Sequence, residues 1–167
     1  MSLDNIQISP DLVMRLYTKS LVDLDGQQIR TNSLNIKEWT FLGKNEKSIL
    51  IIINEKNNIF LPDEDLNFLM DILLACNLSM ADIALVNYFK KPDMAYDSLM
   101  NKFAPGKIIF FGVAPATLGF PLQFPNYQLQ KYNQQTYLSG PALNILAKDI
   151  GQKKQLWNCL KTLFSAA

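Results

Sequence analysis

The amino-acid sequence predicts a three-layer α/β/α fold built around a mostly parallel sheet of about four strands. SILIII at 48–53 and KIIFFG at 107–112 are short apolar runs, which are typical of strands covered on both faces. Segments whose apolar residues recur at helical spacing lie between the expected strands. Strands that alternate with helices along a chain indicate a parallel α/β sheet.

The 167 residues are expected to form a single domain whose first part stands apart from its core. SPD at 9–11 has the order of a helix N-cap, a first-turn proline and a first-turn acid, and apolar residues follow at helical spacing. Polar and turn-forming residues then lead to EWTFLG at 38–43. The pattern there is compatible with short strands and with an extended arm. We therefore expect a helix and an extended arm over residues 1–47, followed by an α/β core over 48–165.

The first half of the core continues with one helix and one strand. FLPDEDLNFLMDILLACNLS at 60–79 places its apolar residues on one helical stripe, behind a proline and three acids in the first turn. Ser79 and Asp82 have the spacing of a short capping box. IALVNYF at 83–89 is the next expected strand.

The second half of the core adds three helices and an edge strand. Residues 94–103 are predicted to form a helix that ends at Pro105-Gly106. YQLQKY at 127–132 alternates apolar and polar residues, as a partly exposed edge strand does. Gly140-Pro141 is expected to open one helix, and residues 152–164 have the apolar spacing of another.

Ligands of parallel α/β sheets bind beyond the carboxyl ends of the strands. Residues at four such ends are therefore expected to rim one crevice. These candidate crevice residues are Asn54, Glu55, Lys56, Asn87, Tyr88, Gly112, Ser139 and Gly140.

The absence of histidine is the most restrictive feature of the composition. It excludes serine–histidine and cysteine–histidine nucleophiles, and it excludes histidine-based zinc sites. The two cysteines, Cys76 and Cys159, are too few for a four-thiolate metal site. We expect no metal and no cofactor, and the two cysteines are interpreted as buried free thiols of a cytoplasmic protein.

Charge and hydropathy also limit the classes of partner. The formal net charge is +1, so the sequence predicts weak or no direct DNA binding. The longest apolar runs are too short to cross a bilayer, and the acidic, polar N-terminus does not have the pattern of a signal peptide. A membrane partner is therefore not expected.

Four segments carry a resemblance to a known superfamily: IINEKNN at 52–58, ILLACNLSMADIALVNYFKKPD at 72–93, FFGVAPATLG at 110–119 and YLSGPALNILAKDIGQKKQLWNCL at 137–160. In their order and spacing they resemble the uracil-DNA glycosylase superfamily over roughly residues 48–165. The match is closest to the iron–sulfur bacterial and archaeal glycosylases.

The sequence also departs from the pattern of those enzymes. Their Gly-Glu-x-Pro-Gly loop corresponds to residues 54–58, which keep the glutamate but not the glycines and the proline. Their His-Pro-Ser loop is replaced by Leu138-Ser139-Gly140, and their cluster cysteines have no counterparts.

A second family shares parts of the last segment. SGPALNIL at 139–146 and QLW at 155–157 are similar to segments of the psi subunits of the bacterial DNA polymerase III holoenzyme. Psi subunits belong to the clamp-loader assembly and look like inactivated glycosylases. This resemblance implies a glycosylase fold without the chemistry.

The glycosylase resemblance implies roles for two residues. Asn87 would read the edge of uracil, and Glu55 would direct the attack on the sugar carbon C1′. The donor that holds the anionic leaving base is the missing histidine, and the loss of one such donor typically costs on the order of 10²–10³ in rate. From the residues alone, Asn87 can equally satisfy backbone groups at the end of a strand, and Glu55 can be a solvated loop residue.

We therefore expect a non-catalytic glycosylase-fold adaptor that binds proteins of DNA replication or repair. The alternative is a divergent uracil-DNA glycosylase that uses Glu55 and Asn87. A small-molecule binding domain that uses the same crevice is a third class, because a fold does not fix a function. The aromatic loop GFPLQFPNY at 119–127 either packs over the sheet or anchors a partner.

Overall fold

The computed structural model describes residues 39–120 and 123–165, and the α/β class is confirmed there. The helix expected from residue 9 onward lies outside these residues. The strands are β1 (Leu42–Gly43), β2 (Ile49–Ile53), β3 (Ile83–Asn87), β4 (Lys107–Phe111), β5 (Leu129–Tyr132) and β6 (Gln135–Gly140). The α-helices are α1 (Asp63–Ala75), α2 (Tyr96–Phe103), α3 (Leu143–Leu146) and α4 (Ile150–Ser165).

The six strands form one mixed sheet in the order β1-β3-β2-β4-β6-β5. The four central strands are parallel, whereas β1 and β5 pair antiparallel at the two edges. The expected number of about four strands is therefore too low. The segments at 48–53, 83–89, 107–112 and 127–132 correspond to β2, β3, β4 and the edge strand β5, whereas β6 was not predicted as a strand and β1 was one of two open possibilities. Both edge strands are short, and their apolar patterns are correspondingly weak.

Helices cover both faces of the sheet, and β2 shows how its side chains divide between them. Ile49, Ile51 and Ile53 belong to the core on one face, together with buried leucines of α1, α3 and α4. Leu50 and Ile52 belong to the core on the other face, together with side chains of α2 and of the aromatic segment after β4. Alternate strand residues point to opposite faces, so a strand with two covered faces must be apolar throughout.

The aromatic segment after β4 packs against the sheet. Phe120 and Phe124 are buried and lie beside Phe110 and Tyr137, with Phe124 and Tyr137 stacked at a centroid distance of 4.8 Å. Of the two interpretations of this loop, packing is therefore correct for the residues that the structure describes. The Tyr137 hydroxyl donates to the Gln135 side chain, and burial raises the pKa of Tyr137.

The sheet begins before residue 48, where the core was expected to start. Leu42–Gly43 pair with β3, and Trp39 and Phe41 pack edge-on against Phe103. Gly43 has a φ of +103°, and a Cβ there would lie 2.1 Å from the Ile83 carbonyl oxygen. Of the two possibilities for 38–43, a short strand is thus observed at its last two residues.

Several element boundaries differ from those predicted. The strand expected over 83–89 ends at Asn87, because the Asn87 side chain accepts a hydrogen bond from Phe89 and starts a 3₁₀ turn at Tyr88–Lys90. The chain after β4 forms a 3₁₀ turn at Pro115–Leu118. The helix expected at Gly140-Pro141 begins at Leu143.

The capping box at Ser79 and Asp82 is confirmed. The Asp82 carboxylate accepts hydrogen bonds from the backbone and the hydroxyl of Ser79, and it pairs with Lys47 at 3.3 Å. Among the described residues, none of the helices is both long and apolar enough to cross a bilayer.

Candidate functional site

A cavity of about 420 Å³ lies beyond the carboxyl ends of β4 and β6 and includes three of the predicted crevice residues, Gly112, Ser139 and Gly140. Gly112 turns the chain at its edge with a φ of +68°, a conformation that favours glycine. Its described lining residues carry no charged side chain: Gly112, Val113, Ala114, Pro115, Ala116, Gln123, Phe124, Asn126, Ser139, Gly140 and Pro141.

The polar groups of this cavity come mainly from the end of β6 and the segment before β5. The Ser139 hydroxyl is buried and donates to the Asn126 side-chain oxygen at 3.1 Å. The Tyr127 amide donates to the Ser139 carbonyl oxygen at 2.9 Å, which joins the two segments. Together with the Phe124 ring, this arrangement offers amide, hydroxyl and aromatic contacts, which suit a neutral polar molecule.

A second, much smaller cavity of about 60 Å³ lies beside the end of β2 and contains the predicted Asn54 and Glu55. The Glu55 carboxylate accepts a hydrogen bond from the Asn57 amide at 2.8 Å. Asp65 of α1 lines the same cavity, and burial followed by the nearby Glu55 charge raises the pKa of Asp65. The two carboxyl groups therefore face one small polar space.

The Asn87 side chain holds two loops together at the ends of β2 and β3. Its oxygen accepts hydrogen bonds from the amides of Glu55 at 3.0 Å and Phe89 at 3.1 Å. Its nitrogen donates to the carbonyl oxygens of Glu55 at 2.8 Å and Ile59 at 3.0 Å, with a longer contact of 3.4 Å to Asn58. A side-chain amide offers two donor hydrogens and two acceptor lone pairs, so these bonds use its full capacity.

The eight candidate crevice residues therefore do not share one cavity. Gly112, Ser139 and Gly140 line the large cavity, whereas Asn54 and Glu55 line the small one. The other three, Lys56, Asn87 and Tyr88, line neither of these two cavities.

The turn after β6 accounts for this division. Pro141 lines the large cavity, and the next residue, Ala142, lines the small one. A Cβ on Gly112 would lie 2.9 Å from the Ala142 Cβ, so the turn packs directly on the Gly112 backbone. The prediction correctly placed these residues at strand ends but did not include the turn that packs between them.

Two exposed apolar residues beside Asn87 were not among the predicted site residues. Ile59 is 66% exposed and Phe89 is 44% exposed. Each has a signal in the sequence: Ile59 follows a purely polar run, and Phe89 was included in an expected strand that ends two residues earlier. The exposure of Phe89 follows from that earlier strand end, since Tyr88–Lys90 turn away as a 3₁₀ helix.

Within residues 39–120 and 123–165, acidic and cysteine side chains form no group of three or more that could hold a metal ion. No protein-family model matches the chain, and no curated protein is significantly similar to it. The resemblance to uracil-DNA glycosylases and psi subunits therefore stays a prediction from short motifs.

Proposed function

We propose that this protein is a non-catalytic adaptor of DNA replication or repair, with a three-layer fold that resembles the uracil-DNA glycosylases and psi subunits. The observation that carries the proposal is the hydrogen bonding of Asn87. This residue would have to read uracil in the alternative enzyme, yet its amide is fully used by backbone groups.

Freeing Asn87 for a substrate would cost stability. The residue is only 4% exposed, and its backbone partners in Glu55, Ile59 and Phe89 would lose a hydrogen bond. Each buried polar group left unsatisfied costs about 1–3 kcal/mol. The arrangement therefore favours a structural role for Asn87.

The surroundings of Glu55 point in the same direction. Its cavity of about 60 Å³ is far below the range of roughly 300–1,000 Å³ that is typical of ligand pockets. Catalysis also lacks the histidine that would hold the leaving base, and the large cavity contains neither Glu55 nor Asn87. An adaptor requires none of these groups.

Crosslinking in living cells, followed by mass spectrometry, tests the adaptor function. A photoreactive residue is introduced separately at several exposed positions, for example at Phe89 and at Tyr132. We expect site-dependent crosslinks to replication or repair proteins. Crosslinks confined to proteins of unrelated processes would contradict the proposal.

A small-molecule binding function is a second candidate, and the 420 Å³ cavity at Gly112 and Ser139 favours it. If it is correct, neutral nucleosides or amides should raise the melting temperature. Ala116→Phe, which fills the cavity from an exposed position, should abolish that rise. An equal rise in the filled variant would contradict binding in this cavity.

A further inference from the structure

The loop after β2 and the turn after β3 form one continuous, ordered surface. The Asn87 amide bonds to both segments, through Ile59 in the loop and Phe89 in the turn. A second link runs from the Lys90 ammonium, which donates to the Lys56 carbonyl oxygen at 2.7 Å. We call the exposed side chains of Lys56, Ile59, Phe89 and Lys90 the clamp surface.

The apolar part of the clamp surface is held in place by the backbone. Ile59 and Phe89 project from segments whose own carbonyl oxygen and amide, respectively, bond to the buried Asn87 side chain. The backbone is thus fixed before any partner arrives, which lowers the entropy cost of binding. Large apolar side chains, aromatic ones above all, supply much of the energy at protein interfaces.

The charged part of the clamp surface is positive. Lys56 and Lys90 are both exposed, and in the described part of the chain neither forms an ion pair with a carboxylate. The neighbouring acid, Glu55, lines the small cavity next to Asp65 instead. A partner with negative charge would therefore meet two lysines that no described acid neutralises.

We propose that the clamp surface binds an acidic segment of a partner protein that also carries at least one large apolar residue. This proposal rests on the adaptor function, and it names the chemistry of one partner. Ile59 and Phe89 would contact the apolar residue, while Lys56 and Lys90 would face the carboxylates.

Single-stranded DNA fits this surface less well. A nucleic-acid groove requires a longer basic track than two lysines, and the net charge of the chain is only +1.

Fluorescence anisotropy with three labelled probes tests the clamp surface. The probes are a peptide that alternates acidic residues with leucine and phenylalanine, the same peptide with amides in place of the acids, and oligothymidylate. We expect the acidic peptide to bind most tightly, and its binding to weaken as salt is added. Tighter binding of the amide peptide or of oligothymidylate would overturn the proposal.

Matched variants locate the binding. Phe89→Ala should weaken the binding of the acidic peptide about tenfold or more. Lys56→Gln should weaken it by about two- to fivefold. The controls are Tyr132→Ala, which removes a comparably exposed aromatic residue on β5, and Lys131→Gln. Equal losses in the control variants, or no loss in the Phe89 variant, would show that the clamp surface is not the site.

The failure of this proposal can be distinguished from the failure of the adaptor function. If replication or repair proteins crosslink equally well to a photoreactive residue at Tyr132 with Phe89 intact and with Phe89→Ala, the adaptor function stands and the clamp surface is wrong. If the chain releases uracil and needs Glu55 to do so, the adaptor function is wrong. This holds whether or not the acidic peptide binds the clamp surface.

Discussion

At the scale of single residues, Asn87 connects the fold to the surface. It is a polar residue at the buried end of an otherwise apolar strand, and its amide replaces the hydrogen bonds that the neighbouring backbone would make with water. Its position at a strand end could be read from VNYF, whereas its partners in the loop after β2 could not, because they lie about thirty residues away in the chain.

Asn87→Ala is expected to lower the free energy of unfolding by about 2–4 kcal/mol, because buried backbone groups lose their partner. Urea unfolding measures the change. Asn58→Ala is the matched control, since Asn58 is an exposed asparagine in the same loop, and we expect its effect to be within about 0.5 kcal/mol. A similar, small loss in both variants would contradict the structural role of Asn87.

Gly112 offers a second test at this scale, because Gly119 provides a close match. Both have a positive φ, +68° and +76°, so alanine at either position costs about 1–2 kcal/mol in backbone strain. Only at Gly112 would the new Cβ also collide with Ala142, whereas Gly119 has open space. We expect Gly112→Ala to lower the urea midpoint of unfolding clearly more than Gly119→Ala does. Equal midpoints would contradict the tight packing of the turn after β6 on Gly112.

At the scale of elements, the turn before β3 depends on the ionised form of Asp82. A hydrogen bond from the Ser79 backbone, followed by those of its hydroxyl and of Lys47, lowers the pKa of Asp82 below its ordinary value. A lowered pKa in the folded state stabilises the fold above the unfolded-state pKa, and this stabilisation is lost as the pH falls through the folded-state value.

Asp82→Asn should therefore unfold at a lower urea concentration than the wild type at neutral pH. The difference should shrink below about pH 4, where the wild-type carboxyl also becomes protonated. Asp71→Asn is the control, because Asp71 is exposed on α1. A difference between Asp82→Asn and wild type that stays constant down to low pH would contradict the role of the Asp82 charge.

The elements also show what the sequence alone could predict. β2, β4 and α1 were recognised because their apolar patterns are long and continuous. β5 was expected as an edge strand, but its hairpin with β6 was not predicted, because the two-residue turn, Asn133-Gln134, adopts positive φ angles at both residues without the glycine that usually signals such a turn.

At the scale of the whole molecule, the candidate site was predicted less well than the fold. The carboxyl ends of the strands could be placed from the apolar runs, and the eight residues lie there. Whether they form one cavity depends on how the turn at Pro141 and Ala142 packs on Gly112, which is a contact between the ends of two neighbouring strands. Such contacts leave no periodic signal in a sequence.

Uracil release tests the central claim most directly. The wild type and Glu55→Gln are each incubated, in excess, with single-stranded and duplex DNA that contain uracil. We expect no release of free uracil by either protein, because Asn87 is fully bonded and Glu55 lies in a small, separate cavity. Release by the wild type that disappears in Glu55→Gln would contradict the account and identify a glycosylase that works without histidine.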